Sequence, residues 1–416
     1  MEKQSHSSIL FKALIVSIFF DAYALTYIQT FPVTLFTMTS VIYFFHALMG
    51  INYSRFYISK QNIILLLLSI ILFINFTVYG FAHATSFLQA LYFIVICFLA
   101  YRTEPKANFE NYCTLYQKLM TISALYGIYQ FIGRIAGLPL TDLIIDGHMV
   151  QGYNWTNRLY FFGPNAYRSN AIFREPSTFA QMLAISLALY FSGLMSKEDN
   201  KKKYAIPIVI QIVALITTMS GTGILLLLIS LLIYSLLMVR NKRFWNKVFP
   251  YIIVSVAIAV YVLLFTTIGS YYLLRMNELF NYNSNAASGF VRFRAWILVV
   301  KRAWKSSFLF GIGIGSGADY IARYFSQYYA MTLNGFAKVA TELGILGIGT
   351  WVTFILSFLA KTANSRISNK YLMLACTMVP FIFMGEAFSS NVFWLAMILL
   401  NCTLYYSDKD ENYDFS

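Results

Sequence analysis

Apolar runs of about 18–25 residues recur along nearly the whole chain, and this constrains the fold more than any other feature. Each run is long enough to cross a bilayer as a helix, at 1.5 Å per residue against a hydrocarbon core of about 30 Å. Charged residues make up only 12% of the 416, about half the share in a soluble domain. A β-barrel is excluded, because barrel strands alternate over about ten residues instead of running continuously apolar. The chain reads as an all-α polytopic membrane protein, a single integral domain over 1–416. The first apolar run after Lys3 reads as an uncleaved first span.

About twelve spans are expected, near 9–28, 31–50, 62–81, 84–101, 112–134, 174–194, 204–219, 222–239, 248–268, 338–359, 370–386 and 388–406. The stretch 204–239 would be about 54 Å long as one helix, far more than a membrane core needs. Basic clusters flank it at both ends, Lys201–Lys203 and Arg240–Arg243, with Ser220-Gly221-Thr222-Gly223 in the middle. Two short helices in a hairpin, turning at the glycines, satisfy both facts.

Short basic loops mark the cytoplasmic side. Arg55/Lys60, Arg102/Lys106, Lys197–Lys203, Arg240–Lys247 and Lys361/Arg366/Lys370 fall on every second connection. Both termini are then cytoplasmic, and two long segments, 135–173 and 269–337, face outward. The formal charge of +14 is accounted for by topology and by anionic lipid, so no nucleic-acid partner is expected. Cys97, Cys113, Cys376 and Cys402 lie in or beside apolar runs, without metal-ligand spacing, and read as small hydrophobes.

The outer segments collect charge. The first holds Arg158 and Arg168 and ends at Arg174; the second holds Arg275, Arg292, Arg294, Lys301, Arg302, Lys305 and Arg323. Read as a helix, 288–307 carries Arg294, Leu298, Lys301 and Lys305 on one face, with Trp296, Val299 and Ala303 on another. One reading is an amphipathic helix near 290–307 lying at the headgroups. The other adds that Arg292 and Arg294 grip a phosphorylated substrate, since the guanidinium fork binds phosphate oxygens in pairs. GIGIGSG, 311–317, is either a weak phosphate-approach signal or a flexible turn; no Walker spacing follows it.

Phe173-Arg174-Glu175-Pro176-Ser177 places a proline where helices begin, so a helix N-terminus with its positive dipole end faces outward beside Arg174. Arg174 can contact a diphosphate or sugar and Glu175 accept a proton, or the two can simply form a capped helix entrance. Glu342, a turn into its span, is a second carboxylate, within pairing distance of Lys338 by spacing. Asp21 interrupts the first span, Glu386 sits in an outer turn, and His148 in the first outer loop reads as solvated. The aromatics of 153–173, among them Tyr153, Trp155, Tyr160 and Tyr167, can stack on sugars or sit at the interface. No metal-ligand cluster stands out, and no cofactor is expected.

Taken in order, FREPSTFAQ, SGTG, RFRAW…KRAWKSSFLFGIGIG and LNGFAKVATELGILGIG resemble the bacterial O-antigen polymerase (Wzy type) and O-antigen ligase superfamily. The resemblance covers roughly 110–360. It implies a metal-independent glycosyltransferase of multi-span, GT-C-like architecture in the bacterial inner membrane, with its site on the outer side. The donor it implies is an undecaprenyl-diphosphate-linked oligosaccharide, held by outer-face arginines. A polymerase joins two such repeat units, and a chain-length regulator is the implied protein partner. A ligase transfers the glycan to lipid A-core. Ligases carry a histidine before the "E-x-G" helix and an arginine in the short outer turn. Here the first reads MTLNGFAKVA, with Asn334 and no histidine, and the second reads SGTG. Both departures favour the polymerase. The expected roles are Arg292, Glu175 and Glu342 in catalysis, and Arg174, Arg294, Arg168, Arg158, Arg275 and Asn334 in substrate binding. A flippase or other transporter would show repeated halves with polar midplane groups, and no matching halves are evident.

Overall fold

The computed structural model describes residues 2–28, 31–49, 59–100, 108–145, 147–150, 153, 167–194, 202–238, 294–325, 333–360, 368–385 and 387–413, with isolated positions between 253 and 273. The described chain is mostly helical, as a helical membrane protein should be. In order, the elements are α1 (Glu2–Ser17), β1 (Ala24–Ile28), β2 (Phe31–Thr34), α2 (Leu35–Met49), α3 (Lys60–Val78), α4 (Ala84–Ala100), α5 (Phe109–Ala136), α6 (Pro176–Gly193), α7 (Lys202–Thr217) and α8 (Gly221–Leu237). They continue with α9 (Trp296–Ser306), α10 (Gly317–Tyr324), α11 (Gly335–Ala360), α12 (Asn369–Met384) and α13 (Asn391–Tyr413). Two of these, α3 with 19 residues and α11 with 26, pass a length and hydropathy test for spanning a membrane on their own. Shorter apolar helices include α2, α8 and α12. The expected span 248–268 falls largely outside the described residues.

The core runs the length of the bundle. α6 is buried on almost every face, from Phe179 to Tyr190, and packs on α5, α7, α8 and α12. Such all-round apolarity is what an innermost helix needs. Around it, α3 packs on α11 and α4 on α13. Leucines and isoleucines left exposed on α3, α7 and α8, such as Leu66, Ile206 and Leu232, form the outward apolar belt that lipid requires. The four cysteines are free and buried, as expected.

One departure from an all-α fold separates the first two helices. The expected spans 9–28 and 31–50 take in Leu25–Ile28 and Phe31–Thr34, but α1 ends at Ser17, a 3₁₀ turn reaches Phe20, and Ala24–Ile28 and Phe31–Thr34 pair as the antiparallel strands of a hairpin. Thr26 pairs with Val33 and Tyr27 with Pro32. The β-branched and aromatic residues there suit a strand as well as a span. His148, read as solvated, is tied to this hairpin: its carbonyl accepts from Ala24 N–H at 2.7 Å.

The α7–α8 hairpin is present, but its glycines serve differently from the expectation. Met219 makes the turn at φ 47°. Gly223 instead lets α8 meet α6: a Cβ there would lie 2.5 Å from Ala180 Cβ and 2.7 Å from its carbonyl oxygen.

Candidate functional site

Six helix termini converge at one end of the bundle. Among the described residues they are the end of the 3₁₀ turn that follows α1, the starts of α6, α8, α11 and α13, and the end of α12, and together they enclose a cavity of about 400 Å³. Every one of these ends belongs to the face that the loop charges assign to the outside. Hydrogen bonds hold the rim: Gln181 Nε2 donates to Met384 O at 2.9 Å, and Gly335 N–H donates to Gly385 O at 2.6 Å. At the far end of the bundle Lys370 Nζ pairs with Glu110 Oε2 at 2.7 Å.

The FREPS stretch supplies one wall. Pro176 opens α6, Glu175 stands at its N-cap in extended conformation, and Arg174 is the exposed residue before it. Ser177 Oγ donates to Glu175 Oε1. Arg174 and Glu175 both line the cavity. So does Asn334, whose Oδ1 accepts from Ala337 N–H at 2.8 Å and caps α11. That bond leaves the amide nitrogen of Asn334 as the end with donors to offer.

Other lining residues were not singled out as site residues. Asp21, one residue beyond the last turn of the first helical segment, lines the cavity with Ser389, Ser390, Asn391, Gln181 and Thr222. Its Oδ1 accepts from Asn391 Nδ2 at 2.7 Å and from Thr34 Oγ1 at 3.5 Å. Phe383 and Phe381 give the cavity an aromatic side. The signal for Asp21 was a carboxylate inside an otherwise apolar run; Asn391 and the serines gave none.

Three expected site residues lie elsewhere. Glu342 is 2% exposed and turned away from the cavity into the glycine-rich segment, where its Oε1 accepts from Gly317 N–H at 3.2 Å. Arg168 anchors the first outer segment by donating from Nε to Thr218 O at 2.8 Å. Arg294 is exposed at the entry to α9, whose Val299, Val300 and Ala303 are buried and whose Lys301 and Lys305 are exposed, the amphipathic division expected. Arg158, Arg275, Arg292 and Glu386 lie outside the described residues.

GIGIGSG is neither a phosphate cradle nor a free turn. Ile312 and Gly313 N–H donate to Thr341 O and Glu342 O at 3.0 and 3.1 Å, and Ile314 N–H donates to Asn75 Oδ1 at 2.8 Å. The amides a phosphate would need are already used within the protein. In return α11 breaks at Gly344, at φ 65° and ψ −160°, and Ile345 and Leu346 N–H donate to Phe308 O and Leu309 O. Asn75 Nδ2 closes the seam on Phe310 O at 2.6 Å and Glu342 O at 3.0 Å.

A buried polar cluster under the first outer segment was missed altogether. Arg134, 6% exposed, donates to Asp142 and to Arg168 O. Gln130, fully buried, accepts from Ser169 Oγ, Asn170 N–H and Ala171 N–H and donates to Thr141 O. This cluster holds the segment 167–173 that leads to Arg174 at the cavity.

The bundle and its cavity are those of a helical membrane protein with a polar site at one end. Residues 206–352, about a third of the chain, match the family described as O-antigen ligase (Wzy_C). The match supports a place in the O-antigen ligase and polymerase superfamily, and with it a glycosyltransferase-type role in surface polysaccharide assembly. It takes in most of α7, then α8, α9, the glycine-rich segment, α10 and much of α11, including Thr222 and Asn334, but not Asp21, Arg174 or Asn391. No curated protein matches the chain.

Proposed function

We propose that this chain is a surface-polysaccharide polymerase that joins undecaprenyl-diphosphate-linked repeat units on the outer face of the bacterial inner membrane, with both termini in the cytoplasm. The observation that carries the reading is the cavity. It lies at the end of the bundle that the loop-charge reading turns outward, and an exposed arginine stands there at a helix N-terminus, beside carboxylates, amides and aromatic rings. A diphosphate is anionic, and the dipole end of α6 with the Arg174 guanidinium is a favourable place for it. Arg174 holds the diphosphate and stabilises its charge as the sugar–phosphate bond breaks. Among the described lining residues Arg174 stands against two carboxylates, Asp21 and Glu175. A bound diphosphate therefore needs further positive charge, and the second outer segment, above all Arg292, is its source. Phe383 offers a face for a sugar ring, and Asn334 offers amide donors to its hydroxyls. A leaving group that is already a diphosphate needs no metal to depart, so none is assigned.

The ligase reading rests on the printed description of the matched family. Against it, the segment before α11 has Asn334 where ligases carry a histidine. The products separate the two. Purified protein given the lipid-linked repeat unit alone makes a ladder of repeat numbers if it is a polymerase. A ligase makes no ladder and transfers a single glycan once lipid A-core is added.

A further inference from the structure

Asp21 stands where a charge is expensive. It follows the C-terminal end of the first helical segment, where the helix dipole disfavours an anion, and it is flanked by Phe20 and Ala22 in an apolar stretch. Fold alone does not require the charge. The donors on Oδ1, the Asn391 amide and the Thr34 hydroxyl, would be satisfied equally by a neutral asparagine. Thr34 is itself buried and fixed, with Thr37 N–H donating to its Oγ1 at 3.3 Å, so Oδ1 is held from two elements. Oδ2 accepts no hydrogen bond from the described residues, and the residue lines the cavity. One oxygen is pinned and the other is left to the cavity. Glu175 differs in how it is held: its Oε1 accepts only from Ser177, two residues along the same helix start, whereas Asp21 is fixed by Thr34 and Asn391 from two separate elements.

We infer that Asp21 is a catalytic residue, the proton acceptor for the attacking sugar hydroxyl; the assignment rests on the polymerase reading above. The hydroxyl oxygen of the acceptor repeat unit forms a bond to the anomeric carbon of the donor. The bond from that carbon to the diphosphate oxygen breaks, and its electron pair leaves with the diphosphate beside Arg174. The hydroxyl proton passes to Asp21 Oδ2 and from there to solvent. Asn391 is a positioning residue that acts through Asp21.

The test uses full-length protein in nanodiscs with the undecaprenyl-diphosphate-linked repeat unit, comparing wild type, Asp21→Asn, Glu175→Gln and Asn391→Ala. Asp21→Asn keeps an acceptor for Asn391 and removes only the basic oxygen. It should lower kcat by about 10²–10⁴-fold, the range of general-base catalysis, with the donor KM unchanged. Asn391→Ala leaves the base in place but unaimed, and should lower kcat by up to about 10²-fold, again without moving KM. If Asp21→Asn is not recovered folded, the Asn391→Ala kinetics decide. Wild-type kcat in Asp21→Asn or in Asn391→Ala overturns the assignment, as does the whole loss falling on Glu175→Gln. A wild-type protein that makes no ladder from its native repeat unit overturns the polymerase reading itself, and this assignment with it.

Discussion

Gly344→Ala tests whether the seam between the glycine-rich segment and α11 holds the outer end of the bundle together. At φ 65° and ψ −160° Gly344 occupies backbone space that other residues reach only under strain, a cost of about 1–3 kcal/mol. A methyl there would lie 2.5 Å from Gly311 N and from Leu309 O, both backbone atoms that cannot swing aside. The facing Gly311 is no freer, since a Cβ on it would run into Thr341 O. Relief requires the two segments to part, which releases the bonds from Ile345 N–H at 3.0 Å and Leu346 N–H at 3.3 Å. Each is worth about 0.5–1.5 kcal/mol net. Strain and lost bonds together come to about 2–6 kcal/mol, against a total stability of the order of 5–15 kcal/mol. Gly349→Ala, on the same helix, meets nothing within 4 Å and should be neutral or gain about 0.5–1 kcal/mol from helix propensity. The assay is the temperature at which the monodisperse size-exclusion peak is lost in detergent. Gly344→Ala should lower it by roughly 10 °C and Gly349→Ala should leave it unchanged. Equal behaviour of the two variants would refute the seam as a structural element.

Three further outcomes follow from the same reasoning. Arg134→Ala leaves Asp142 and the Arg168 carbonyl without their buried partner; thermal unfolding in detergent should show a loss of about 2–4 kcal/mol. Gln130→Leu strips acceptors from Ser169, Asn170 and Ala171. It should cut polymer formation along with stability, and limited proteolysis should show the 167–173 segment opening before the bundle does. Arg174→Lys keeps a charge but loses the planar fork, so the apparent affinity for an undecaprenyl diphosphate should fall about tenfold and that of Arg174→Ala further.

Much of the helical framework was legible because lipid-facing and core-facing helices both need continuous apolar runs. The starts of α3, α6, α8 and α12 fall within two residues of the expected span starts. The hairpin at 24–34 was not legible, since Leu25, Tyr27, Ile28 and Phe31 are as apolar as a span; Pro32 and Asp21 were the residues out of place. FREPS was legible as a helix entrance because a proline at the first helical position is a local signal. Asp21 and Asn391, 370 positions apart, meet only in the folded chain, and no local pattern announces such a pair. Glu342 is a related case: its position in the sequence gave no sign that the fold sets it off the cavity, with Oε1 accepting Gly317 N–H of the segment it packs against.

The most direct measurement of the central claim is polymer formation by the purified protein in nanodiscs, given the undecaprenyl-diphosphate-linked repeat unit without nucleotide sugar or added metal. Wild type and Arg174→Ala are compared on one gel. The account predicts a ladder of repeat numbers from wild type and its loss in folded Arg174→Ala. An intact ladder from Arg174→Ala, or none from wild type with its native repeat unit, would contradict it.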